Sequence, residues 1–189
     1  MFYIAVIVGG AFLIALGNLA AHAFAPQAIL PVCLSVALGV VAIMAEDGLS
    51  ALLLRRLLPS RLFSAERRIF AVGKREKRFY DALKIKKWKG LVPELGLFTG
   101  FSKSELKSKD DTAYLGRFLM ESHYGVVIHL ANGLLGFVIA FIPFCASPSI
   151  WVPIFLVNLM LSLLPVFVLR YTCYTLGRLY ARSKKRSRV

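Results

Sequence analysis

Few residues in this chain are of a type and spacing suited to chemistry, and most of them sit at one boundary. The stretch "MESHYGVVIHL", residues 120–130, lies where a Lys/Arg-rich segment gives way to a long apolar run. It carries Glu121, His123 and His129. On a helix, Glu121, Gly125 and His129 recur every four residues and share one face. Glu121 and His129 are then ~12 Å apart along the axis, too far for a direct hydrogen bond but suited to flanking a substrate. An imidazole there can act as general base, and a carboxylate bonded to its other nitrogen fixes the tautomer. Glu46 and Asp47, near the end of an earlier apolar run, are candidates for that orienting role, because ionisable groups at membrane depth rarely face lipid. The plain alternatives are an interhelical hydrogen bond for His129 and solvated positions for the three carboxylates.

No other pattern signals a reaction centre. The chain has no GxSxG, HExxH or glycine-rich phosphate loop. Cys33, Cys145 and Cys173 lie far apart, without CxxC or Cys/His ligand spacing, so neither a disulfide framework nor a metal site is expected.

The elements that must hold these residues are written in the charge distribution. The chain has 189 residues, 58% of them hydrophobic, and 24 Lys and Arg, none of which precedes Arg55. Soluble domains spread their charge, whereas membrane proteins confine it to loops. Four apolar runs, at about 2–25, 28–50, 124–145 and 150–169, each approach the ~20 residues needed to cross a bilayer as a helix. Strand alternation is missing, and lipid cannot satisfy open backbone groups, so helices are the default. The expected fold is an all-α membrane protein: four transmembrane helices with a basic, amphipathic, interfacial helical loop between the second and third. The divisions fall at 1–54 (two spans), 55–123 (loop), 124–170 (two spans) and 171–189 (basic tail). "AFA" at 23–25 resembles a signal cleavage site, but without a basic start and with Pro26 following, a retained helix is expected.

Topology follows from the same counts. The connections 25–31 and 145–150 carry no charge, whereas 55–124 and the segment from Arg170 are strongly basic. The positive-inside rule puts the loop and both termini in the cytosol. Within the loop, Phe63, Ile69, Phe70, Phe79, Tyr80, Leu83 and Trp88 alternate with Lys and Arg. This is the composition of helices lying in the headgroup layer over anionic lipid. Gly73 is expected to break the stretch, and Pro93, Gly96 and Gly100 to mark a turn region. Nucleic acid is not an expected partner, since the aromatics read as membrane anchors and no nucleic-acid-binding motif occurs. Composition alone therefore reaches a small four-helix membrane protein with a basic interfacial platform.

Residues 79–94, "FYDALKIKKWKGLVPE", carry more. With Glu76 before them, "GFSKSEL" (100–106), "YLGRFLMES" (114–122), His129 and the Arg170–Tyr171 pair after them, they resemble the glycosyl-4,4'-diaponeurosporenoate acyltransferase family over about residues 60–180. That resemblance implies transfer of a fatty acyl group to a sugar hydroxyl of a membrane glycolipid in carotenoid biosynthesis. It implies His129 as base toward the hydroxyl and Glu121 as the group orienting sugar or imidazole. Lys86, Lys89 and Arg170 would hold the anionic part of the acyl donor, for which acyl-coenzyme A is the implied co-substrate, with no resident cofactor. Trp88 would anchor the loop; Glu46 and Asp47 lie before the resembling stretch, and their depth in the membrane is what suggests them as substrate-lining residues. The implied partners are membrane lipid, a lipid-linked sugar and the donor. His123, Tyr124 and Val126 depart from the pattern, where basic residues and a second acid are usual. Thr172 stands in place of an Asn, and Leu91 with Val92 loosens the Leu-Pro step. These departures imply a diverged member. The competing expectation is a non-catalytic module that binds anionic lipid or scaffolds a partner through its basic loop.

Overall fold

The computed structural model describes residues 2–93, 101 and 106–187. Those residues contain helices and turns and no strand. The helices are α1 (Phe2–Ala21), α2 (Pro26–Leu57), α3 (Lys74–Ala82), α4 (Ile85–Trp88), α5 (Thr112–Leu135) and α6 (Pro148–Arg186). Four segments are long and apolar enough to cross a membrane: Phe2–Ala21, Pro26–Leu57, Thr112–Phe141 and Pro148–Arg186. The all-α, four-span expectation is met. Gly96, Gly100 and most of "GFSKSEL" lie outside the described residues.

The chain divides into two compact units, Met1–Leu53 with Leu130–Leu163, and Leu54–His129 with Leu164–Val189. The first contains Glu46 and Asp47 as its only charged residues; the second holds all 24 Lys and Arg.

The first unit is organised by close helix approach and a polar seam. Its core is Val36, Ile43, Ile139, Ile150 and Ile154. A Cβ on Gly39 would lie 2.8 Å from the Ile154 Cδ1 and 3.1 Å from the Cys145 sulfur, so any larger residue requires those side chains to shift. Ser50 donates to the Asn132 side-chain oxygen, Asn132 Nδ2 to the Asp47 carbonyl (3.3 Å), and Asn158 Nδ2 to the Asn132 carbonyl (3.2 Å). Such pairing is obligatory where no water reaches. The chain leaves α5 through 3-10 turns at Gly136–Phe141 and Pro143–Cys145. Ile142, before Pro143, is extended at φ −85°, ψ 118°, as the proline ring requires. α1 buries none of its residues; it is tied by Tyr3 Oη to the Leu161 carbonyl (2.9 Å) and by Asn18 Nδ2 to the Ser149 carbonyl (3.1 Å).

The second unit packs Phe101, Leu115, Phe118, Leu119, Cys173 and Leu176 together. Leu115, Phe118, Leu119 and Ser122 recur at helical spacing and are all buried. That apolar face explains why α5 starts at Thr112 rather than at the onset of the hydropathic run near Tyr124. The basic segment from Tyr171 likewise is no separate tail, because α6 continues to Arg186. Its last turns are held by Ser183 Oγ on the Asp110 carbonyl (2.6 Å) and Arg186 on the Asp110 carboxylate (2.9 Å). The divisions read at 123 and 170 thus fall inside helices. Gly73 does interrupt the loop as read, since α3 begins at Lys74.

Candidate active site

The residues around Glu121 bolt the start of the basic loop onto α5. Glu121 accepts from Arg55 Nη2 at 2.8 Å. Tyr124 Oη donates to the Leu58 carbonyl at 2.7 Å, its ring stacks on Phe63 at 3.8 Å between centroids, and the Arg55 guanidinium sits 5.1 Å above it. His123 Nδ1 lies 2.9 Å from the Phe63 carbonyl, and its ring stacks on Phe70 at 4.3 Å. A carbonyl only accepts, so Nδ1 carries the proton and Nε2 is left with a lone pair. His123 is 3% exposed, yet it lines a cavity of about 770 Å³.

That cavity is built within the second unit by the 65–72 segment, α5 and α6. Its buried lining is Leu119, His123 and Cys173, and its exposed lining is rich in cations: Arg67, Arg178 and Lys185, with half-buried Lys184 engaged by Glu66. A Cβ added to Gly177, also in the lining, meets nothing within 4 Å. An imidazole with a free lone pair, an apolar wall and a cationic rim are thus assembled in one place. Together they suit proton abstraction from a hydroxyl beside an amphiphilic, anionic ligand.

A second assembly joins two blocks of sequence that lie far apart. Arg170 Nε and Nη2 each donate to the Glu76 carboxylate at 2.7 Å, Nη1 donates to the Phe70 carbonyl at 3.0 Å, and Tyr80 Oη donates to Glu76 at 2.7 Å. Lys77 lies 4.3 Å above the Tyr171 ring. Burial raises the Glu76 carboxyl, but the Arg170 and Tyr80 hydrogen bonds and the guanidinium charge outweigh it and hold the group below the usual carboxylate range. Burial first, then the bond to Glu76, pushes the Tyr80 phenol up to about 12. Through its bond to the Phe70 carbonyl, Arg170 braces the residue whose ring covers His123.

The residues singled out in the sequence are distributed as follows. Arg170, expected to hold the donor's anion, bonds Glu76 and the Phe70 carbonyl and is not part of the cavity lining. His129 is half-buried and is not part of the cavity lining; His123 is. Lys86 and Lys89 are exposed and Trp88 half-buried, with Trp88 Nε1 donating to the Leu83 carbonyl (3.0 Å), and none of the three lines the cavity. Glu46 and Asp47 belong to the polar seam of the first unit, where the Asp47 carboxyl faces Asn158 and Glu46. Arg67, Arg178 and Lys185 were not singled out beforehand. Their signal is only that Arg178 and Lys185 are seven residues apart on one helix, hence on one face.

A family model for glycosyl-4,4'-diaponeurosporenoate acyltransferase matches residues 59–182, well over half of the chain. The chain belongs to this acyltransferase family. The match embraces Glu76, Tyr80, Arg170 and Tyr171, the residues of the second assembly, and nearly all of the cavity. The activity of the glycosyl-4,4'-diaponeurosporenoate acyltransferase family is acyl transfer in carotenoid biosynthesis. No curated protein and no solved structure matches the chain.

Proposed function

We propose that this protein is an integral acyltransferase of the bacterial inner membrane that moves a fatty acyl group from an acyl thioester, acyl-coenzyme A, to a hydroxyl of a membrane glycolipid at the cytosolic leaflet. The observation that carries this reading is that the family match takes in all of the residues enclosing the His123 cavity except Lys184 and Lys185. The four spanning-length helices fit an acceptor and an acyl chain that both partition into lipid.

His123, in place of His129, is the base in this reading. The acceptor hydroxyl gives its proton to His123 Nε2 as its oxygen attacks the thioester carbonyl. The tetrahedral intermediate collapses with loss of the C–S bond, and His123 returns the proton to the departing thiolate. One ester forms, one thioester breaks, and the imidazole ends neutral. Phe63 and Phe70 hold the tautomer and ring plane. The test is acyl transfer from acyl-coenzyme A to an extracted glycolipid in proteoliposomes, with lipid profiling of cells with and without the gene. Loss of one acylated glycolipid is expected; an unchanged profile and no transfer in vitro would refute the reading.

One observation favours a non-catalytic lipid-binding module instead. Ile69 is 81% exposed between Arg68 and the half-buried Phe70, and Phe79 and Leu91 are more than half exposed near Lys and Arg. That reading requires charge removal at Lys84, Lys86, Lys87 and Lys89 to alter lipid retention while replacement of His123 changes nothing.

A further inference from the structure

The cavity has a cationic rim that the proton transfer above does not use. Arg178 and Lys185 are exposed on α6 and form no ion pair with any described residue. The Arg178 guanidinium rests 5.8 Å over the Tyr174 ring, which restricts its position. Arg67 adds a third cation, its Nε donating to the Arg61 carbonyl at 3.5 Å. The acid of the lining, Glu66, is engaged by Lys184. Inside the rim the lining turns apolar and buried at Leu119 and Cys173. Gly177 keeps the wall between them open.

We propose that this cavity is the acyl-donor site: Arg67, Arg178 and Lys185 bind the phosphates of the donor's carrier, and the Leu119–Cys173 wall takes the start of the acyl chain beside His123. The proposal rests on the acyltransferase reading for its ligand but is tested by binding alone. Arginine forks and lysine point charges both suit phosphate, and the opening from a cationic rim to a buried apolar wall selects an amphiphile over a free anion. The shared chemistry is an acyl chain carrying a phosphate head, which a bilayer phospholipid also offers.

The deciding experiment uses the full chain in phosphatidylcholine nanodiscs and hexadecyl-coenzyme A, an unreactive thioether. Binding is expected to weaken roughly tenfold in the Arg178→Glu/Lys185→Glu protein, since each reversed contact at an exposed site counts modestly. It should also weaken as salt rises from about 50 to 500 mM. Gly177→Leu, which fills the cavity without touching a charge, should abolish binding with the thermal midpoint unchanged. Lys86→Glu/Lys89→Glu should leave affinity as in wild type. The proposal is overturned if hexadecyl-coenzyme A does not bind, if the Lys86/Lys89 protein loses as much affinity as the Arg178/Lys185 protein, or if phosphatidylglycerol in the disc displaces the ligand mole for mole. Binding as expected from a protein that transfers no acyl group would sink the acyltransferase reading and leave the site standing.

Discussion

At the scale of single residues, the chemistry narrows to one imidazole. His123 is buried, its Nδ1–H donates to the Phe63 carbonyl, and it lines the cavity. The family resemblance favours His129, whereas the local geometry favours His123. The two make opposite forecasts. His123→Ala should lower acyl transfer by roughly 10²–10⁴-fold, the usual worth of a positioned base, with far smaller loss in His129→Ala. Turnover in proteoliposomes reads this directly, and equal losses would remove the distinction. Spacing alone could not choose between the two histidines. It shows which residues share a helix face, not which face meets protein. Glu121 illustrates the same limit, since its partner Arg55 comes from a distant part of the chain. The buried face Leu115, Phe118, Leu119 and Ser122 precedes the hydropathic run, and mean hydropathy over a window that also holds Arg117 and Glu121 does not reveal it.

At the scale of elements, α3 and α6 are joined by the Glu76–Arg170 pair, with Tyr80 as third member. Arg170→Met strands a carboxylate and a phenol with side chains largely covered, and a loss of about 3 kcal/mol of stability is expected from chemical unfolding of detergent-solubilised protein. The pair also sets an acid limit. The Glu76 carboxyl ionises at lower pH in the folded than in the unfolded protein. Its stabilisation is therefore complete above the unfolded value near ~4.3 and is lost as pH falls through the folded value. Glu76→Gln should flatten the unfolding-versus-pH curve in that acid range; an unchanged curve would remove the pair from the acid response. Tyr80, raised to about 12, acts at the other end: its contribution persists to about pH 10 and disappears as pH climbs toward 12. A hydrophobic counterpart is Ile85, fully buried at the start of α4, where Ile85→Ala should cost about 2–5 kcal/mol in the same assay. Of these elements, the helices follow from composition and Gly73. The Glu76–Arg170 contact does not, because nothing in a single sequence pairs residues so far apart.

At the scale of the whole molecule, the number of spans and the confinement of charge were plain from the sequence. Lipid forces long apolar runs, and a basic block has nowhere else to go. The helix ends were less plain, since α5 and α6 run on past their apolar stretches under the control of side-chain packing. The distribution of Lys and Arg predicts cytosolic termini. A cysteine placed at Ser187 in an otherwise cysteine-free protein should react with a membrane-impermeant maleimide in inside-out vesicles and not in intact cells. The reverse labelling would invert the topology.

The polar ties of α1 lie near its two ends, Tyr3 on the Leu161 carbonyl and Asn18 on Ser149, and no side chain between is sealed off. Its middle turns are seated by apolar contact alone: Ala11, Ile14 and Ala15 lie against the core of the first unit. Cutting both polar ties should leave the segment seated but free to slide along that face, whereas bulky replacement of Ala11 and Ala15 should lift it off, a difference that a spin label at exposed Phe12 or Leu13 would read.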